Sequence, residues 1–289
     1  MLNSMTFLEW WENEHRNFEA ILFDIDGTLV SGMHLLDGAD VLLKQLRQQR
    51  FPFYLLTNDG NHSPQEKSVL VGRAGLKISP DEIVSCGMAI AHFVEHHNAA
   101  GQTFFVMGDL GKPCYAETAG LKVCRDVSQI HNCSGVIIGE GFYDWQKNIN
   151  AVFNYFIRRP AMPLLVPNPD SYWPNGKNGE FGIGAGGKAR FICGILEEMG
   201  ITVKLEYFGK PYSAIYEYTV ELLKKRFGLP GDISYSKILM LGDSLKSDIK
   251  GANILGMKSG LMLTGITTAA QALAAKAELK PDFIFKSIS

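Results

Sequence analysis

The sequence has no run of roughly 18 uninterrupted apolar residues, the length a membrane-spanning helix needs, so no membrane partner is expected. It has no excess of either charge. Lys and Arg number 28 against 30 Asp and Glu, a net of −2 at pH 7. Such a balance offers no field to draw in nucleic acid or an anionic surface. Cysteine is scarce: Cys86, Cys114, Cys124, Cys133 and Cys193 make an odd five, with no C-x-x-C pair. That favours reduced thiols in a cytoplasm over a disulfide framework. The first 18 residues lack a basic stretch followed by an apolar one, so no secretory signal is expected there. Internal repeats and low-complexity tracts are absent too.

What is present is an ordinary globular composition, 46% hydrophobic and 20% charged over 289 residues. The length suits two domains, or one domain with a large insertion. Four short apolar runs each end in a polar or Gly-rich loop: Ala20–Phe23, Phe53–Leu56, Glu206–Phe208 and Ile238–Leu241. Each reads as a buried strand. Helical patterns at Gly38–Gln49, Pro64–Ala74, Ser213–Phe227 and Ser247–Leu255 lie between them, and further strands are expected at Ser259–Leu263 and Asp282–Phe285. This alternation predicts an α/β fold with a doubly wound parallel, Rossmann-like sheet, whose ligands bind at the carboxyl ends of the strands. Residues 86–205 interrupt the series with helices and strands of their own. They are read as an inserted α+β domain, leaving 1–85 and 206–289 as the core. Thr6 and Glu9 have capping-box spacing at the start of a first helix. Its aromatics Trp10, Trp11 and Phe18 make either a packing face or a homodimer contact.

The chemistry gathers at the strand ends. Asp24 and Asp26 stand two apart, on one side of a chain leaving a strand. One carboxylate can attack phosphorus to form an acyl-phosphate. The other can protonate the departing alkoxide and then activate water. The bland alternative is an acidic turn after a strand. Gly27 lets the turn tighten, so that its amides and those of Thr28 can face phosphate oxygens. Thr57 and Asn58 offer further donors, and Lys210 a cation for the nucleophile and the phosphate. Asp243 can ligate Mg2+ together with the Asp24 carboxylate and the Asp26 main-chain carbonyl. Ser244 and Asp248 stand behind them, Asp248 as a partner for Lys210 or a metal-bound water. Taken singly, Lys210 or Asp248 would more often be a surface residue or a helix cap.

The order D-x-D-G-T, T-N, G-K-P and G-D-S-x-x-x-D resembles the haloacid dehalogenase superfamily of phosphotransferases. The insert's position is similar to a type-IIA cap, as are G-V-I-I-G at Gly135–Gly139, N-P-D at Asn168–Asp170 and G-A-G at Gly184–Gly186. These point to the NagD-like and p-nitrophenylphosphatase-like branch. The resemblance implies a Mg2+-dependent phosphatase, with Asp24 as nucleophile, Asp26 as acid and base, and Asp243 as metal ligand. Members that cleave carbon–halogen bonds generally lack the second acid, so Asp26 favours phosphoryl chemistry. The sequence departs from the pattern at Asp59, where many relatives have Asn, and at Glu140–Gly141, which replaces an aromatic–Asp pair.

The expected substrate is a small phosphomonoester, a neutral sugar phosphate ahead of a nucleoside monophosphate or pyridoxal phosphate. Asp59, Glu140, Asn168, Asp170 and Trp173 are the candidates to contact it. Tyr172 and Trp173 serve either substrate contact or local packing. From a different class, the chain reads as a non-catalytic phosphoester sensor. Two motifs compete weakly. Gly182–Lys188 fits G-x-x-x-x-G-K, but no strand precedes it and Ala189 follows, so a loop into a helix is expected. His92–His96 spells H-x-x-E-H without a convincing third zinc ligand.

Overall fold

The computed structural model describes residues 5–174 and 179–289, so Asn175–Asn178 of the Gly-rich loop lie outside the described residues. By contacts the chain forms two compact units. The first comprises Met1–Thr57, Lys67–Val84 and Lys210–Ser289; the second comprises Asn58–Glu66 and Ser85–Gly209. No helix among the described residues is long and apolar enough to cross a membrane.

The first unit is built on a six-stranded sheet. Its order is Phe283–Phe285, Lys258–Met262, Ile238–Gly242, Ala20–Asp24, Phe53–Thr57, Ile83–Ser85. Ala20–Asp24 runs parallel to both neighbours, with Ala20 opposite Ile238 and Asp24 opposite Leu56. Every residue of these three central strands is buried. This is why they read as continuous apolar runs rather than alternating ones. Strands from the first third of the chain extend the sheet one way from Ala20–Asp24, and strands from the last third extend it the other way. The order therefore reverses beside Ala20–Asp24, and the crevice for a ligand opens at its carboxyl end.

The helices of this unit follow from local sequence. Ala39–Gln49 starts behind Gly38, in the left-handed region, and buries Leu42, Leu43 and Leu46 on one stripe. Ser213–Phe227 buries Ile215, Tyr216, Thr219, Val220 and Leu223, and stops at a left-handed Gly228. Phe7–Glu14 carries the expected capping box: the Thr6 hydroxyl accepts from the Glu9 amide, and the Glu9 carboxylate accepts from the Thr6 amide. Its tryptophans pack inside the chain. The Trp10 ring lies 4.6 Å from Phe283 and 5.2 Å from Phe285, and the Trp11 ring 5.2 Å from Phe51.

The second unit has a five-stranded parallel sheet in the order Lys204–Tyr207, Pro163–Val166, Val136–Ile138, Thr103–Met107, Lys122–Cys124. Helices Trp145–Arg158 and Ala185–Glu198 cover it, and a separate antiparallel ribbon pairs Tyr172–Pro174 with Phe181–Ile183. One strand expectation is corrected here. The run ahead of G-K-P does not join the first sheet; Lys204–Tyr207 is an edge strand of the second, aligned with Pro163–Val166. The segment K-L-E-Y has an exposed Lys204 and a half-buried Glu206, the pattern of a strand with one face in water.

Candidate active site

Three chain segments of the first unit meet at the carboxyl ends of Ala20–Asp24 and Ile238–Gly242. The Lys210 ammonium is buried and donates to Asp24 Oδ1 at 2.5 Å, to Asp248 Oδ1 at 2.7 Å and to the Leu56 carbonyl at 3.3 Å. Asp248 is itself fixed, its second oxygen accepting from the Ser244 amide at 3.0 Å. That bond shapes the backbone. Residues Leu245–Ile249 form a π turn in which the Ile249 amide reaches back to the Ser244 carbonyl, and the α-helix begins only at Lys250. The helix expected at Ser247–Leu255 is present, with its first three residues inside this π turn. The Tyr216 hydroxyl closes the turn from below, donating to the Ser247 and Asp248 carbonyls.

Asp243 follows its strand directly and accepts from the Ile266 amide at 2.7 Å. Its carboxylate lies in a cradle of glycine backbone. A Cβ on Gly27, whose φ is +89°, or on Gly265 would overlap Asp243 Oδ2. Gly27 therefore serves both a left-handed turn and a close approach. Thr264 fastens the same turn, its hydroxyl donating to the Gly27 carbonyl at 2.6 Å.

One oxygen each from Asp24, Asp243 and Asp248 can lie within 4.8 Å of the others. Among the described residues this is the one grouping of three metal-capable side chains, and neither His92 nor His96 belongs to it. Burial, then repulsion from Asp248, pushes Asp243 up from 3.8 to about 7. Burial also drives Asp24 well above its ordinary value, against the pull of Lys210 and with the three neighbouring acids adding to the rise. Burial would depress Lys210, but Asp24 and Asp248 more than reverse that and hold it charged. Three buried carboxyls facing one ammonium leave the cluster short of positive charge. Hard oxygen donors in this arrangement fit a divalent cation.

The remaining candidates are placed individually. The Asp26 side chain is 59% exposed and accepts from Lys67 Nζ at 2.7 Å. Thr28 is fully buried, and its hydroxyl has no hydrogen-bond partner. Thr57 ends its strand, buried. The others fall in the second unit. Asn58 Nδ2 donates to Asp170 Oδ2 at 3.2 Å, while Asn168 accepts from the Asp170 amide and donates to Glu140 Oε1 at 2.8 Å. Glu140 Oε1 also accepts from the Ala185 amide, the first of its helix, and burial raises its pKa against these two bonds. Glu140 thus ties a loop to a helix start. Asp59 is engaged by the His62 ring at 2.9 Å. Trp173 is 42% exposed on the ribbon, with its indole over Gly182. Lys188, from the rejected nucleotide-loop motif, is buried and donates to the Gly139 carbonyl, its ammonium 5.0 Å from the Trp145 ring.

Sequence reasoning missed Lys67 and the Thr264–Ile266 loop. The loop carries no motif, since it acts through one hydroxyl, one amide and an absent Cβ. Lys67 left a signal. It shares the buried face of Pro64–Arg73 with Val71, four residues on, where an apolar residue would be routine.

The fold and acid cluster define a Rossmann-like hydrolase site, and comparison with known proteins agrees. The haloacid dehalogenase-like hydrolase model matches residues 21–122, and a second, HAD-hydrolase-like model matches 207–289; together they span more than half the chain. The chain belongs to the haloacid dehalogenase-like hydrolases. An acid sugar phosphatase of Staphylococcus epidermidis is 24% identical over 276 residues, covering 95% of this chain and 96% of that protein. A solved possible sugar phosphatase from Cytophaga hutchinsonii superposes with a TM-score of 0.79 at 26% identity, covering 100% of this chain and 99% of the other. A glycerol phosphate phosphatase from Mycobacterium tuberculosis, solved with magnesium, gives a TM-score of 0.75 at 22% identity, covering 98% and 78%.

Proposed function

We propose that this hydrolase cleaves small phosphomonoesters, neutral sugar phosphates foremost, through a phospho-aspartate on Asp24. The observation that carries this reading is the buried Lys210 bridging Asp24 and Asp248 beside Asp243. A lysine so placed holds the attacking carboxylate in line and offsets charge on the phosphoryl oxygens. Asp24 Oδ would bond to phosphorus as the ester P–O bond breaks and its electron pair leaves with the alkoxide. Asp26 would give that oxygen a proton, then take one from the water that releases phosphate and restores Asp24. The acid set suits Mg2+, held by the Asp24 and Asp243 carboxylates and the Asp26 carbonyl, which would supply further positive charge to the phosphate. The magnesium in a structural neighbour and the sugar phosphatase names of relatives support the metal and the substrate class. On this reading residues 86–205 act as a cap domain on a core of 1–85 and 206–289, and supply the groups that touch the alcohol.

The test is Asp24→Asn. It should fold normally yet lose at least about a thousandfold in phosphate release, because an amide cannot form the acyl-phosphate. Retention of a substantial fraction of wild-type turnover in a clean preparation would sink the assignment. So would full activity of the wild type in excess chelator.

A further inference from the structure

Lys67 and Asp26 form an unequal pair. The Lys67 side chain is 8% exposed and its Nζ lies 2.7 Å from Asp26 Oδ2, while the Asp26 side chain is 59% exposed. A charge-assisted bond of this length joins a side chain held in the interior to one that water reaches. Lys67 lies on the buried face of its helix with Val71. The helix that carries the lysine is firmly started. The Ser63 hydroxyl accepts from the Glu66 amide at 3.2 Å, and the Glu66 carboxylate accepts from the Ser63 amide at 2.9 Å. The lysine is therefore the fixed member and the carboxylate the movable one.

We propose that Lys67 is a positioning residue for Asp26, selecting the rotamer from which its carboxyl serves the leaving-group oxygen. An exposed carboxyl on a loop samples several staggered orientations, and a charge-assisted bond to an immobile donor selects among them. The inference rests on the proposed acid role of Asp26. The step served is the one in which Asp24 bonds to phosphorus, the ester P–O bond breaks, and the departing oxygen takes its proton from Asp26. A misplaced proton donor costs most where the leaving group is a poor one and little where it departs as a stable anion.

The experiment compares an alkyl phosphate that the wild type turns over with p-nitrophenyl phosphate, whose leaving group needs no proton. Lys67→Met should lower kcat/KM for the alkyl ester by about 10- to 100-fold and for p-nitrophenyl phosphate by less than about threefold. Lys67→Arg should recover part of the loss. Adding Lys67→Met to Asp26→Asn should cost nothing further, because the residue being positioned is already disabled. Equal slowing of both substrates, or a full multiplicative loss on top of Asp26→Asn, would overturn the proposal. Should Lys67→Met lose its melting transition, Lys67→Gln is held to the same criteria. An Asp26→Asn enzyme with undiminished alkyl phosphatase activity would also overturn it, while a dead Asp24→Asn in the same series would leave the phospho-aspartate reading standing.

Discussion

At the residue scale the dominant fact is an excess of buried acid. Asp24, Asp243 and Asp248 are gathered around Lys210, and Asp243 is pushed to about 7 by burial and by Asp248. For an acid whose folded pKa exceeds its unfolded value, the folded state holds the proton more tightly. Its contribution to stability is full below the unfolded value of 3.8 and is lost as pH rises to about 7. A divalent cation reverses the trend, because it replaces that proton. The metal-free protein should therefore melt at progressively lower temperature as pH rises from 3.8 to about 7, and added Mg2+ should restore most of the loss. The Mg2+ needed for half-maximal activity should fall over the same interval. Calorimetry in chelator and in Mg2+ checks both, and metal-free stability that is flat or rising would refute the raised Asp243. These acids and Lys210 were legible in the sequence because each sits at a fixed offset from a strand end. Lys67 left only the weak local signal of its spacing to Val71, because its bond to Asp26, 41 residues away in the chain, leaves no pattern in the sequence.

At the element scale, local rules and long-range pairing part company. The capping box at Thr6 and the glycine stop at Gly228 could be read directly, since both are settled within a turn of helix. The sheet to which Lys204–Tyr207 belongs could not, because one strand's pattern does not name its neighbour. The π turn at Leu245–Ile249 was equally hidden, as it depends on side chains converging on Asp248. The first helix gives the sharpest energetic test at this scale. Trp10 packs on Phe283 and Phe285 of the outermost strand, so Trp10→Ala would open a cavity at that edge. A loss of about 3–5 kcal/mol in urea unfolding is expected, with kcat per folded molecule unchanged at low temperature. A small loss with dissociation of a dimer would show that the helix serves association instead.

At the scale of the whole molecule, the phosphoryl group and the alcohol are separate problems of recognition on the proposed function. The acid cluster and Lys210 read only a phosphoryl group and a cation, which every phosphomonoester supplies. Discrimination must then come from groups outside that cluster, and on the proposed function the candidates are Glu140, Asp170 and Trp173. These side chains are not equivalent. Glu140 accepts from Asn168 and from the first amide of Ala185–Glu198, so Glu140→Ala should lower the melting temperature and weaken all substrates alike. Asp170 and Trp173 are placed differently: one carries a carboxylate that accepts from Asn58, on a loop whose backbone Asn168 holds, the other a half-exposed indole. Asp170→Ala should remove an acceptor for sugar hydroxyls, and Trp173→Ala a stacking face for a ring. Each should change the ratio of kcat/KM between sugar phosphates and p-nitrophenyl phosphate severalfold, Trp173→Ala with the melting temperature nearly unchanged. Steady-state rates across a panel of phosphorylated metabolites measure that ratio. If both variants instead slowed every substrate by one common factor, specificity would reside elsewhere, and the proposed roles of Asp170 and Trp173 would fail.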